Sequence, residues 1–249
     1  MHTILEVVVL TLLGFVGGFI GSQVGAGGII MLPGLLWLGL SVPASIAAMS
    51  IAGLLTNGVA ALEYSKSKHL KLHEALPYAT VAALGSAIGA KLLFKIDVEI
   101  LSTIFAVVIA LLTAFLIFRR QPTTTTLRKT SKPIFVLGLL ISFVIGLYGG
   151  LVAIAVTTLA ILFFQAILRQ NYLTAVANAV FIVTVLQVTQ VFVLVTDTRI
   201  NYVYALLLVP GSIFGAVLGS KTIARKGETY FKALLVLVAI LVVIKLVTA

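Results

Sequence analysis

The chain has 249 residues, 61% hydrophobic and 10% charged, with a net charge of +10 and no cysteine. A soluble domain keeps its apolar share near half, so this composition defines an integral membrane protein. The bases fall between apolar runs rather than along one face, which argues against nucleic acid as a partner, and the missing cysteine removes disulfides, thiolates and sulfur-ligated metals.

In chain order, "MHTILEVVVLTLLGFVGGFIG" lacks a basic leader and carries Glu6, so it reads as a retained first helix rather than a cleaved signal. A membrane-spanning helix needs about 20 apolar residues. Ten apolar segments emerge, with cores at 4–22, 28–41, 44–63, 74–93, 99–118, 134–149, 151–167, 171–195, 202–220 and 230–248. The second and seventh are short for a full crossing. The polar stretch "RRQPTTTTLRKTSKP" separates a first membrane repeat, 1–118, from a second, 134–249, and is expected as a basic cytoplasmic linker, 119–133.

The halves are related. "GSAIGAK" from Gly85 recurs as "GAVLGSK" from Gly215, an offset of 130, while Ser50 and Thr56 match Asn178 and Thr184 at 128. Five segments per half make the repeats inverted, as in many secondary transporters. Ten crossings would place 13 of the 17 Lys and Arg on one side and 4 on the other. If the short segments do not cross, the split is 10 to 7. The positive-inside tendency therefore favours ten crossings with both termini outside, while hydropathy windows that merge short segments give eight.

Glycines carry two expectations. Pairs four apart, such as Gly85 with Gly89 and Gly211 with Gly215, let helices approach closely in lipid. The cluster Gly25, Gly27 and Gly28 in "GSQVGAGGIIMLP" is different, because adjacent glycines weaken a helix and packing one face does not need them. A broken helix is tolerated in a membrane only where it borders protein or a cavity. There the bare N–H groups of Gly27, Gly28 and Ile29 at a new helix N-terminus would form an anion site. Ser22, Gln23, Ser50, Thr56, Asn57, Asn178, Thr184, Gln187 and Gln190 are polar residues inside apolar segments, where each needs a partner or a function. Asn178, Thr184, Gln187 and Gln190 form an expected cavity-lining stripe.

The run from Gly21 to Tyr64, with its glycine-rich break, "LP" turn, "LGLSVPASIAAMS" and "TNGVAALEY", resembles the TauE/SafE-type sulfite exporter family, also called the toluene-sulfonate uptake permease group. The resemblance extends over nearly the whole chain. It implies a polytopic inner-membrane protein of two related halves that moves a small sulfur oxyanion or organosulfonate. It points to Gly25, Gly27, Gly28 and Pro33 in one half and Gly149 and Gly150 in the other. "GLYGGLVAIAVTTL" keeps Gly149 and Gly150 but loses the extra glycine and the proline, so the halves are expected to contribute unequally.

Other signals carry less. Gly215 to Thr222 misses the phosphate-loop spacing, and His69 with His73 sits among Lys66, Lys68 and Lys71, which would repel a metal ion. Every carboxylate lies at a segment end or in a loop, so no proton relay is legible, and an inside-negative potential would itself drive anions outward by roughly 2.3 kcal/mol per charge per 100 mV. The expectation is an all-α polytopic transporter of a small anion in the lipid bilayer, not an enzyme, with no cofactor. A passive anion channel and a non-transporting assembly subunit are the alternatives.

Overall fold

The structure is a computed structural model that describes residues 4–97, 99–101, 103, 107, 131–195 and 202–248, the side chains of 227–229 and 231–248 excepted. Among the described residues eight helices appear and no strand: α1 (Ile4–Val24), α2 (Gly27–Trp37), α3 (Val42–Lys66), α4 (Leu72–Leu92), α5 (Lys132–Val152), α6 (Val156–Ala166), α7 (Tyr172–Leu194) and α8 (Tyr202–Thr248). Six of them contain a stretch long and apolar enough to cross a membrane. Local chemistry sets several starts. The Ser41 hydroxyl accepts from the Ala44 N–H before Pro43 in the first turn of α3, and the Asn171 side chain accepts from the Thr174 N–H to open α7.

Side-chain contacts fix the helix directions. Thr11 donates to the Leu207 carbonyl, and Gly14 and Gly18 meet the backbone of Leu208 and Ser212, so α1 and α8 run parallel. Gly85 and Gly89 lie against Phe143 and Leu147 in the same way, so α4 and α5 run parallel. Every one of these glycines would drive an added Cβ into a carbonyl oxygen of the neighbouring helix. Lipid offers no hydrophobic drive for helix association, so this close approach supplies the contact instead. Tyr64 near the end of α3 donates to Ser22 near the end of α1, which gives those helices a common direction. Gly53 and Gly58 of α3 face Gln187 and Thr184, so α7 runs against α3. Lys71 and Ser86 bond to Asn178 and Leu186, so α7 runs with α4. Thus α1, α3 and α8 point one way and α4, α5 and α7 the other. Helices that correspond by the 128–130 offset run in opposite senses.

The two short helices double back. Gly27, Met31 and Gly34 of α2 lie against Gly21, Gly17 and Leu13 of α1, and Val156 and Phe163 of α6 lie against Gly149 and Gly138 of α5. At 11 residues each, they reach about 16 Å, roughly half the hydrocarbon thickness. As each returns toward the end its predecessor came from, the sides of all later joints are those of ten full crossings. Lys66, Lys68, Lys71, Lys132, Arg169, Lys221 and Arg225 accordingly share one end of the bundle, while Lys91 and Lys95 lie at the other.

Two expected segments differ. The ninth and tenth form one continuous helix of 47 residues, because the joining stretch "KTIARKGETY" holds a single glycine and no proline to break it. Within it, Tyr202–Lys226 is the spanning part. The fifth segment and the linker 119–133 lie largely outside the described residues. The interior is rich in fully buried alanine, including Ala47, Ala52, Ala60, Ala79 and Ala177, while Leu12, Leu62, Leu84, Leu140, Phe192 and Phe214 are exposed on the outside. That inversion of a soluble protein's plan suits a lipid solvent.

Candidate functional site

The breaks between α1 and α2 and between α5 and α6 meet. Gly25 has φ +77° and Ala153 has φ +56°, so both chains turn through the left-handed region at positions 128 apart. An added Cβ on Gly25 would collide with the Thr158 backbone, and one on Gly28 would stand 3.3–3.5 Å from Ile154 and Ala153. A helix end leaves its last carbonyls without intrahelical donors. At the end of α1, Tyr64 donates to Ser22 at 3.1 Å, Tyr172 to Gln23 at 3.1 Å and Thr158 to Val24 at 2.6 Å. At the end of α5, the Gln190 amide donates to Gly149 and Gly150 at 3.1 and 2.9 Å, and Tyr148 serves Ile154 at 2.9 Å. Donors from other helices thus cap both breaks, joined at the second by Tyr148 of α5 itself.

Between the breaks lies a cavity of about 50 Å³. Its lining includes Gly25, Gly27, Gly28, Thr56, Asn57 and Gln187, which the sequence had singled out. Gly17, Gly21, Met31, Met49, Gly53, Ala153, Val156, Thr157 and Val183 complete it. The first N–H groups of α2, at Gly27 and Gly28, and of α6, at Val156 and Thr157, precede any acceptor in their own helix. Two helix N-termini therefore open onto one chamber. Each carries a partial charge near +0.5, about one elementary charge together. Among the described residues no charged side chain lines the chamber.

Side chains extend this donor character. Asn57 donates to the Gly53 carbonyl at 3.0 Å and to Gln187 Oε1 at 3.0 Å, and Thr157 donates to Asn57 Oδ1 at 3.4 Å. Gln187 is only 5% exposed, and its Nε2 has no hydrogen-bond partner among the described residues. The Thr56 hydroxyl is turned to the Ala52 carbonyl.

The remaining expected residues lie elsewhere. Ile29 gives its N–H to the Ala26 carbonyl at 3.1 Å and does not line the chamber. Ser50 bonds to Ile46 and Thr184 to Val180, each within its own helix. Asn178 accepts from the Lys71 N–H and donates to Gln170, which donates to Glu74 at the basic end. Of the expected stripe, only Gln187 reaches the lining. At 100° per residue, Asn178 and Gln187 face about 180° apart, and Thr184 and Gln190 fall between. Gly149 and Gly150 support the break, since Gly150 would drive a Cβ into the Ser86 carbonyl. Gly27 also has an architectural duty, because its missing Cβ is where the Gly17 carbonyl sits.

Gly53 and Thr157 were not among the expected site residues. The offset of 128 that pairs Thr56 with Thr184 also pairs Gly25 with Ala153 and Ile29 with Thr157. Carried back through the second break, it would have found Thr157. Gly53 had no signal beyond a lone glycine in a helix, and its purpose is the Gln187 amide, which a Cβ there would meet at 2.5 Å.

Two opposed, broken half-helices enclosing a polar chamber inside an apolar bundle define the general plan of a membrane transporter. The family model for the sulfite exporters TauE/SafE matches residues 10–246, and the chain belongs to that family. It is 29% identical to the probable membrane transporter protein ORF9 of Sinorhizobium sp., over 93% of this chain and 88% of that protein. It is 25% identical to a probable membrane transporter protein of Haemophilus influenzae, over 96% and 93%. Identity to the probable membrane transporter protein YunE of Bacillus subtilis is 26%, over 89% and 90%. No solved structure matches the chain.

Proposed function

We propose that this multi-pass protein carries a small oxyanion, sulfite or the headgroup of an organosulfonate, across a bacterial inner membrane. The observation that carries the proposal is the meeting of two helix N-termini and the Gln187 amide nitrogen on one chamber that, among the described residues, has no charged side chain and no acceptor for that nitrogen. About one elementary charge of dipole potential attracts a monoanion but holds it weakly enough to let it leave, which conduction requires. A water needs about 10–15 Å³ of such space, so the chamber takes roughly four water-sized positions, the scale of an oxyanion head. The family description points to sulfite, and the chemistry of the chamber points to the wider class of small oxyanions.

The opposed senses of corresponding helices support two inverted repeats, 1–118 and 134–249, joined by a cytoplasmic linker. The shared basic end, placed inside by the positive-inside tendency, supports an N-terminus outside and loading from the cytoplasm. Proteoliposomes assayed with sulfite, sulfate, thiosulfate, sulfoacetate and an aryl sulfonate test the reading, with impermeant labelling of a cysteine placed at Lys68 reporting orientation. Saturable flux of at least one of these anions is expected, faster when the side holding the anion is made electrically negative. Absence of flux for the whole panel, or flux that ignores the potential and demands a proton or sodium gradient, would overturn it. Flux that never saturates would mark a passive channel.

A further inference from the structure

Gln187 presents a choice that its own chemistry does not settle, because a glutamine amide offers a donor at one end and an acceptor at the other. Pointed one way it welcomes an anion, and pointed the other way it repels one. The side chain is 5% exposed and sits against Gly53, with no room for bulk on that side. What distinguishes its two ends is Asn57. Both hydrogens of Asn57 Nδ2 are committed, one to the Gly53 carbonyl and one to Gln187 Oε1. Asn57 is itself fixed by Thr157 of α6, whose hydroxyl donates to its Oδ1. An amide in the reversed pose would set Nε2 against a donor.

We infer that Asn57 is a positioning residue that locks the Gln187 amide with its nitrogen toward the chamber, so that the Asn57–Gln187 pair sets the site's preference for anions. The inference rests on the anion-transport reading. It also makes the polarity of the chamber a joint product of both halves, since Asn57 comes from α3, Gln187 from α7 and Thr157 from α6.

Among the described residues nothing titratable lines the chamber. On the surrounding helices, the hydroxyls of Tyr64, Tyr148 and Tyr172 donate to Ser22, Ile154 and Gln23. Glu63 pairs with Lys66, and Glu74 accepts from Gln170 at the basic end, which also holds Lys221 and Arg225, while Lys91 ends α4. The native site is therefore indifferent to pH across the neutral range, and a carboxyl placed at position 187 would introduce a dependence. A neutral Glu side chain can accept from Asn57 and donate its proton to an anion. The ionised form presents only acceptors and a negative charge. Burial raises a carboxyl pKa toward neutrality.

The experiment uses full-length protein in proteoliposomes, with labelled sulfite as probe and each variant's flux divided by wild type at the same pH, so that titration of sulfite cancels. Gln187→Glu should keep substantial relative flux near pH 5.5 and lose about tenfold or more by pH 8.5. Gln187→Met, similar in volume but without a donor, should raise half-saturation about tenfold at every pH. Asn57→Leu should raise it by a similar factor, and the double variant should be no worse than Gln187→Met alone, since partners that act as one unit are not additive.

Gel filtration in detergent checks that each variant is folded. A relative flux of Gln187→Glu that is flat with pH would overturn the donor role of Gln187. Multiplying effects of Asn57→Leu and Gln187→Met would overturn the positioning role of Asn57. A wild-type protein that moves none of the panel anions would instead defeat the transport reading on which both rest.

Discussion

The break after α1 and the break after α5 both open on a left-handed residue, but they are built from different residues and close differently, Ala26 entering α2 at φ −100° and Ala155 entering α6 at φ +55°. The first uses glycine at φ +77°, and the second uses alanine at φ +56°, with Ala155 at φ +55° close behind. A left-handed φ alone costs an L-residue roughly 1–2 kcal/mol, which a packed membrane bundle can carry. What the first break cannot carry is a Cβ, because the Thr158 backbone and the Thr157 side chain occupy that space. Glycine is therefore enforced by contact, not by the turn. Where contact relaxes, alanine serves, and the glycine signature disappears from the sequence while the left-handed first residue stays.

Three substitutions probe that contrast. The largest effect is expected at Gly25→Ala, which meets both the left-handed φ and the collision with α6, for a loss on the order of 3–4 kcal/mol. The measurement is the yield and thermal stability of the detergent-solubilised protein, and near-normal values would mean the second half moves aside easily. Next is Thr158→Val, which removes the donor to the buried Val24 carbonyl and should cost about 1–3 kcal/mol by thermal unfolding. An unchanged melting temperature would show that the end of α1 finds another donor. Smallest is Ala153→Gly, where relief of the left-handed strain is offset by the greater freedom of glycine in the unfolded chain. A gain of about 0.5 kcal/mol is expected, and a clear loss would show that the alanine methyl is needed for packing.

The same contrast explains what could be read from the sequence. Membrane class, helical fold and the first break were legible because hydropathy and adjacent glycines are local signals. Six of the fifteen lining residues followed, since Gly25, Gly27, Gly28, Thr56, Asn57 and Gln187 announce themselves by being polar or flexible in an apolar run. Ile29, Ser50, Thr184 and Asn178 look the same in sequence, but their polar groups are satisfied by nearby backbone or by the basic end. Whether a buried polar group finds a partner depends on helix rotation and on neighbours more than 100 residues away. Nothing local records that. The half-length of α2 and α6 was visible as short apolar cores, whereas their folding back along α1 and α5 was not.

The glycine-to-carbonyl seams also decide which parts of the molecule can move as blocks. They weld α1 to α8 and α4 to α5, each pair drawing one helix from either half of the sequence. One block is then α1, α2 and α3 with α8, and the other is α5, α6 and α7 with α4, a reciprocal exchange of one helix. The chamber lies along the boundary between the blocks, where α3 faces α7. Rocking at that boundary would expose the chamber to one side and then the other without opening either seam. The chain passes from one block to the other between α3 and α4, at 67–71, and again between α7 and α8. Spin labels on α1 and α8 should hold a constant separation through a transport cycle while labels across α3 and α7 do not, and a changing α1–α8 distance would rule the blocks out.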